Sequence, residues 1–343
     1  MANEIEGFQH PDFVWTWKES SRGSRQGLWV PYLQGVEKVP RSKSWLIRFS
    51  GGEVTVRLAD VDTVMLYGAS GVLPVEFLDE LNQHKISLLL HRRNMPRPYV
   101  FSPAAGGDEH DLLGKQIIAR QNMMDSTYVA RTLIRERLHS FRSVSVVAET
   151  AFRRLNLARN IDEVRSIEAQ QTARYWEAYY QKLGLSDLSR RDCPHPVNAA
   201  LDAGSFFLTG VLLRWVLFHK FSPYHGFLHR PTNYTGLVFD LLEPYRGWIE
   251  RSVSVAWQGE EREEERLTAK SIAVLKEILE EQVYVPMTRQ TVRRKSLLHG
   301  SVLSLRAWLI GKQARFVVPV EGVKKGGRPV KVGFSIPGYP IPE

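Results

Sequence analysis

Two histidines and three carboxylates stand out by type and spacing. In Ser222-Pro-Tyr-His-Gly-Phe-Leu-His-Arg-Pro, His225 and His229 lie four apart. Pro223 and Gly226 end the apolar stretch before them, so both histidines fall in a loop. A loop imidazole can turn toward a ligand, whereas a helical one is committed to a face. The same spacing on a helix would suggest a zinc pair, but Gly226 and the lack of an adjacent glutamate count against zinc hydrolase chemistry. Further on, Gly236-Leu-Val-Phe-Asp-Leu-Leu-Glu-Pro-Tyr-Arg sets Asp240 and Glu243 three apart, on one helix face, among Leu237, Val238, Leu241 and Leu242. Carboxylates in such surroundings repel and lose hydration unless a cation compensates. Arg246 and Arg251 could supply that cation, and so could a metal. Upstream, Glu168 sits beside the apolar flank of a helical stretch carrying Val164 and Ile167, where an isolated acid is ordinarily a surface residue. Glu168, His229 and Glu243 together offer two oxygens and a nitrogen with no thiolate, a set suited to Mg²⁺ or Mn²⁺. Such an ion polarises a phosphoryl oxygen and brings an attacking hydroxyl within reach. Spacing leaves open whether the three converge.

The elements that must position these residues divide into two kinds. Gly27 to Leu33, Trp45 to Phe49, Glu53 to Leu58, Val61 to Tyr67 and Ile86 to Leu90 are short β-branched or aromatic runs separated by turn signals at Arg41 to Lys43 and Gly51-Gly52. A short helix is expected from Pro74 to Leu81. Beyond a stretch holding Pro96, Pro98, Pro103, Gly106 and Gly107, helical periodicity takes over in Leu113 to Val144, Ile161 to Leu183, Asn198 to Lys220, Thr235 to Ser252 and Leu267 to Val283. Ser296 to Ile310 reads as another helix, and Phe316 to Val320 and Val330 to Phe334 as strand-like patches. The fold class is therefore α+β: a β-rich domain over 1–95, a linker over 96–110, a mainly helical catalytic domain over 111–286, and a basic helix and tail over 287–343.

The 43% hydrophobic and 24% charged content of the 343 residues excludes disordered and membrane-embedded classes. The apolar run Phe206 to Phe218 is broken by Arg214 and reads as a buried helix, so no membrane association is expected. The N-terminus shows no export signal, and Cys193 is the single cysteine, which agrees with a reducing cytoplasm. The formal net charge is +9, a field whose commonest partners are polyanions. From Arg289 onward, Arg293, Arg294, Lys295, Arg306, Lys312, Arg315, Lys324, Lys325, Arg328 and Lys331 face one acid, Glu321, before Glu343. A block so one-sided needs a counter-charge, and nucleic acid is the expected one.

Three local patterns resemble a known family. Ser166-Ile-Glu168-Ala with Ala173-Arg-Tyr-Trp, Pro196-Val-Asn-Ala-Ala-Leu-Asp-Ala-Gly, and Gly226-Phe-Leu-His229 with Leu237-Val-Phe-Asp240-Leu-Leu-Glu243-Pro-Tyr-Arg246 are similar to the motifs of the universal CRISPR adaptation protein, the Cas-one integrase and endonuclease family. Gln116 to Arg120 and Val129 to Arg135 also look like the family's first helices. The resemblance implies that Glu168, His229 and Glu243 ligate a divalent metal, Mg²⁺ or Mn²⁺, and that Asp240 is a nearby catalytic acid. It implies supporting roles for Asn198 and Arg246. It further implies an enzyme of CRISPR antiviral defence that joins the 3′-OH ends of a short duplex to target DNA by transesterification. A homodimer through the β-rich domain and a Cas-two partner protein follow from the same resemblance. Expected DNA contacts are Arg174, Arg246, Arg293, Arg294, Lys295, Lys324 and Lys325. Ala169 and Ala203 stand near places where the family has glycine, Arg135 or Arg137 replaces its usual lysine, and the stretch from Met287 has no clear counterpart. Two alternatives remain: a casposase-like transposon integrase or branched-DNA nuclease, and a non-catalytic DNA-binding scaffold.

Overall fold

The computed structural model describes residues 15–18, 26–92, 95, 98–103, 110–190, 194–258, 262–324 and 332–337. It is an α+β protein, β-rich at the N-terminus and mainly helical thereafter. The chain forms two compact units, one of residues 1–107 with 206–214 and the other of 108–205 with 215–343.

In the first unit, strands β1 (Trp15–Lys18), β2 (Gln26–Pro31), β3 (Leu33–Lys38), β4 (Ser44–Phe49), β5 (Gly52–Arg57) and β6 (Val61–Tyr67) precede helix α1 (Val75–Gln83) and strands β7 (Ser87–Leu90) and β8 (Tyr99–Phe101). A five-stranded sheet has the order β1-β2-β6-β7-β8, and β3, β4 and β5 form a separate antiparallel meander. Strand β6 runs parallel to both β2 and β7. Parallel neighbours need crossovers; the meander supplies the first and α1 the second. Period-2 alternation in β4 turns Trp45, Ile47 and Phe49 inward, and Trp45 packs edge-on against Phe77 of α1 with centroids 5.0 Å apart. The run read as one strand from Gly27 to Leu33 is in fact broken at Tyr32, which adopts φ +52° and sends β2 and β3 to different sheets. Strand β3, Leu-Gln-Gly-Val-Glu-Lys, carries too weak a pattern to be read alone.

The second unit begins with α2 (Leu112–Gln121) and α3 (Met123–Phe141), where periodicity suggested one helix. Asn122 divides them: its side chain accepts from the Met124 and Asp125 N–H groups at 2.9 and 3.1 Å, which opens a new helix. Then follow α4 (Glu149–Leu157), unread in the sequence, α5 (Ile161–Lys182) and α6 (Pro196–Phe218). Helix α6 starts earlier than expected, and its 23 residues, with an 18-residue window of mean hydropathy 1.5, are by length and composition long and apolar enough to cross a membrane. Because 67% of that apolar window is buried within the protein, it fits a core helix; residues 206–214 pack with the first unit, where Phe207 meets Trp29 at 5.4 Å.

The helix expected from Thr235 to Ser252 is two helices, α7 (Gly236–Leu242) and α8 (Arg246–Gln258), joined by a 3₁₀ turn over Glu243–Tyr245. Pro244 has no N–H to donate, which interrupts the ladder. Helix α9 (Glu264–Glu280) leads into an antiparallel hairpin of β9 (Gln282–Val285) and β10 (Gln290–Arg293), then α10 (Ser296–Leu309). The hairpin spans the expected boundary at 286/287. Among the described residues, neither tail patch forms a strand. The chain there is pinned by side chains instead: the Tyr128 hydroxyl donates to the Phe316 carbonyl (2.9 Å), the Tyr245 hydroxyl to that of Pro319 (2.8 Å), and the Gln290 amide to that of Ile336 (2.9 Å).

At the end of α6, His219 Nε2 lies 2.8 Å from His299 Nε2 on α10, and the His299 ring stacks on Trp215 at 3.6 Å. Burial, reinforced by Arg306, pushes His219 down to about 4. An unfolded histidine takes a proton near pH 6.5, so between about 6.5 and 4 the unfolded chain holds a proton that the folded one resists. Stability from this group is present above about pH 6.5 and is expected to decline as pH falls toward 4. Melts of the wild type and His219→Gln across that range check this; parallel pH profiles for the two would count against it.

Candidate active site

Asp240 organises the site from inside. It is fully buried on α7. Its Oδ2 accepts the Phe227 and Leu228 N–H groups at 2.5 and 3.0 Å. Its Oδ1 accepts the His229 N–H at 2.9 Å and stands 2.7 Å from His229 Nδ1. A carboxylate placed this way accepts the hydrogen bond of Nδ1–H and leaves the lone pair on Nε2, which has no hydrogen bond among the described residues. With its acceptor positions filled, Asp240 has no capacity for a metal. The catalytic role expected of it is therefore corrected to a positioning one.

The His229 loop is held from several sides. Gln116 is fully buried on α2; its amide nitrogen donates to the carbonyls of Ser222 (2.9 Å) and His225 (2.8 Å), and its oxygen accepts the Ser222 N–H (2.9 Å). Arg120 donates to the carbonyls of Gly226 (2.9 Å) and Arg230 (2.6 Å), and Arg165 to that of Leu228 (2.5 Å). His225 is engaged by Ser222, whose hydroxyl lies 2.7 Å from its Nδ1. A β-carbon at Gly226 would lie 2.6 Å from the His229 carbonyl oxygen and 2.7 Å from the Gly236 carbonyl carbon, and one on Gly236 would meet the same oxygen. Gly226→Ala is thus expected to displace His229. A misplacement of about 1 Å at a reacting group costs about 10²-fold in rate, here at unchanged helix content by circular dichroism. Wild-type strand transfer in that variant would refute the close-approach argument.

Glu243 opens the 3₁₀ turn and is buried. Its Oε1 accepts from Arg246 Nε at 2.9 Å, and its Oε2 lies 3.8 Å from Arg137 Nε. Arg246 is the partner expected from spacing; Arg251 instead faces Glu281 at 3.6 Å. Glu168, half-buried on α5, accepts from the Thr172 hydroxyl at 2.8 Å. Burial, followed by the negative charge of Glu243, raises the Glu168 pKa. Burial also works against the charge on Glu243, but Arg246, His229 and Arg137 outweigh it and hold that carboxyl low. For His229, burial opposes protonation, yet the Asp240 contact and the charges of Asp240 and Glu243 raise its pKa.

Glu168, His229 and Glu243 are therefore brought within electrostatic reach of one another. They do not form a finished cluster: among the described residues, no three His, Cys, Asp or Glu side chains are set to hold a metal ion. The donor chemistry nonetheless fits a divalent cation. Two carboxylates raise each other's cost of ionisation, and an imidazole of fixed tautomer presents a free nitrogen beside them.

Behind Glu243 lies a network that sequence reading left incomplete. Arg137 and Glu250 are 3% and 4% exposed. Arg137 Nη1 donates to Glu250 Oε2 at 3.1 Å and Nη2 to Oε1, while the Tyr175 hydroxyl donates to Oε2 at 2.5 Å. Of the two arginines considered for the family lysine, Arg137 is the buried one, and Arg135 reaches Asn156 instead. Glu250 gave no signal, since Arg137 is 113 residues away in the chain, and Tyr175, although part of the Ala173-Arg-Tyr-Trp pattern, meets Glu250 from 75 residues away. Asn198 is structural, bonded to the Tyr180 hydroxyl (2.5 Å) and the Ser189 carbonyl (2.9 Å).

The expected DNA contacts divide. Arg174 is exposed on α5, and Lys324 is exposed in the tail; Lys325 lies outside the described residues. Arg246 is committed to Glu243. Arg294 and Lys295, 5% and 4% exposed, are corrected to internal ion-pair residues: Arg294 meets Glu281 and Glu321 (2.7 Å to the latter), and Lys295 meets Glu280 at 2.6 Å. Arg293 also meets Glu280, at 3.0 Å. The counter-charge of this part of the basic block is carried by Glu280, Glu281 and Glu321, from 13 to 27 residues away along the chain and adjacent in space.

A β-rich unit is thus followed by helices that carry a histidine held by a buried aspartate and coupled electrostatically to two glutamates. The chain belongs to the family described as CRISPR associated protein Cas1, whose profile matches residues 40–277. It is 31% identical over 140 residues to "CRISPR-associated endonuclease Cas1 2" of Pyrobaculum aerophilum, a match spanning 40% of this chain and 46% of that relative. Among solved structures, a casposase bound to its integration product superposes with TM-score 0.73 at 16% identity, covering 85% of this chain and 92% of the other. A Cas1 protein of Thermotoga maritima gives 0.68 at 17% identity, covering 86% and 99%. At such identities, these likenesses speak for the fold.

Proposed function

We propose that this protein is a metal-dependent DNA integrase and nuclease of CRISPR adaptation, joining the 3′-OH ends of a short DNA duplex to target DNA at the CRISPR array. The observation that carries the reading is the His229–Asp240 pair, which leaves Nε2 free beside Glu168 and Glu243. In the proposed reaction, a duplex 3′-oxygen forms a bond to phosphorus and the backbone P–O bond of the target breaks, the departing 3′-oxygen taking up a proton. With water in place of the 3′-hydroxyl, the same site acts as a nuclease. Glu168, His229 and Glu243 would hold the ion, Mg²⁺ or Mn²⁺, and its charge would stabilise the phosphoryl group. Asp240 holds the histidine tautomer, and Arg137 and Arg246 keep Glu243 ionised and in place. The net charge of +9 supports a polyanionic substrate, with affinity expected to fall steeply with salt.

Family membership supports two partner assignments as well: a homodimer through the β-rich unit and a Cas2 protein, since one structural neighbour is a Cas6-RT-Cas1–Cas2 complex, with TM-score 0.71 at 13% identity and 37% of that chain covered. The test is strand transfer of a short duplex with free 3′ ends into supercoiled plasmid with Mn²⁺ or Mg²⁺, with and without Cas2. Products that vanish on chelation and in Glu168→Ala support the reading. DNA binding without any strand transfer would favour a scaffold, and products independent of a CRISPR array would favour a transposon-type integrase.

A further inference from the structure

A cavity of about 720 Å³ opens in the helical unit, on the α3, α5 and α8 side of the Arg137–Glu250 pair. It is large enough for a small organic molecule. Aromatic side chains line it, among them Tyr175, Tyr179, Tyr245 and Trp248, the last two with ring centroids 4.7 Å apart. Three acids also line it, and two are spoken for. Glu250 accepts from Arg137 and the Tyr175 hydroxyl, and Glu321 accepts from Arg294 at 2.7 Å.

Glu136 is the third. It is half-buried on α3 and, among the described residues, has no hydrogen bond or ion pair. Its charge lies close enough to Tyr245 to act on that hydroxyl. Arg135, the adjacent cation, directs its guanidinium to Asn156. The lining cations sit at the exposed rim: Arg251 faces Glu281 at 3.6 Å, and Lys182 is exposed at the end of α5. A half-buried carboxylate with no bonded partner among the described residues, beside aromatic faces, is the combination that recognises an organic cation through charge-assisted hydrogen bonds and cation–π contact.

We propose that this cavity binds an organic cation with a guanidinium or alkylammonium head, the head on Glu136 and the stem against Tyr245 and Trp248. Such a head could belong to a free diamine or to an arginine side chain of a bound protein. The probes are therefore agmatine and N-acetyl-arginine amide, titrated calorimetrically into the full-length protein without DNA or metal. Saturable binding of either is expected, with tighter agmatine binding marking the free diamine and the reverse marking the side chain. Glu136→Gln is expected to weaken it at least about tenfold and Trp248→Leu about threefold, both with unchanged melting temperature. Glu168→Ala should leave it intact, so the result is independent of the integrase reading. No saturable binding, equal affinity in Glu136→Gln, or loss in Glu168→Ala, which would place the cation at the candidate active site, overturns the proposal.

Discussion

His229→Ala is expected to reduce strand transfer by about 10³-fold or more while leaving DNA binding within about threefold of wild type. The estimate follows from the contribution of a ligated cation to transition-state charge, several kcal/mol, with about 1.4 kcal/mol per tenfold in rate. His229 offers Nε2 because Asp240 engages Nδ1, so the histidine is replaceable by neither asparagine nor glutamine without losing that relay. Glu168→Ala should lose as much, and Glu168→Gln nearly as much, because the amide keeps the shape and the Thr172 contact but not the charge. Asp240→Asn belongs one level down, at about 10–100-fold, the usual effect of removing a partner behind a metal ligand. Its amide nitrogen would also oppose N–H groups that now donate to the carboxylate. Single-turnover strand transfer against Mn²⁺ concentration separates these outcomes. Equal activity in His229→Ala and wild type, or activity that survives chelation, would sink the proposed mechanism. A variant rescued by excess Mn²⁺ would place the defect in ion affinity rather than in chemistry.

Arg137→Met is expected to cost about 3–5 kcal/mol of stability, the usual penalty for stranding one half of a buried ion pair. Arg137 is the only cation bonded to Glu250 among the described residues, and it also faces Glu243 and lies over the Phe141 ring at 4.5 Å. Its removal leaves a buried carboxylate, and the Tyr175 hydroxyl alone cannot neutralise it. For a unit of this size the melting temperature should drop by roughly 6–20 °C. Adding Glu250→Gln to Arg137→Met should recover part of the loss, since the stranded charge is then gone. A non-additivity near zero in that double-mutant cycle would show that water reaches the pair and that its burial contributes little.

Legibility in the sequence followed the range of the interaction. Helices α5, α6, α9 and α10 were readable because an apolar stripe repeats along each of them, and strands β4 to β7 because alternation does. The breaks at Asn122 and Pro244 were visible as residues but not weighed as boundaries: a capping side chain and a missing N–H act over three or four residues, less than the window that reveals periodicity. The basic block after Arg289 misled for the opposite reason. Its one-sidedness in the chain is real, yet Arg294 and Lys295 are neutralised by Glu280, Glu281 and Glu321, and pairing across a hairpin leaves no mark in linear charge.

The candidate site shows the same division. Residue types and short spacings picked out His229, Asp240 and Glu243, because a loop histidine and carboxylates among leucines are chemically conspicuous wherever they stand, whereas Glu168 joined them through the resemblance of its local motif. Their roles were decided by tertiary structure. Only the fold could aim three loop N–H groups and an imidazole at Asp240, and so turn an expected catalytic acid into the residue that holds His229 in place. Only the fold could bring α3 and α8 together so that Arg137 and Glu250 stand behind Glu243. A sequence records which groups are present; whether a buried charge meets a proton donor, an arginine or a metal depends on atoms a few ångströms away that arrive from elsewhere in the chain.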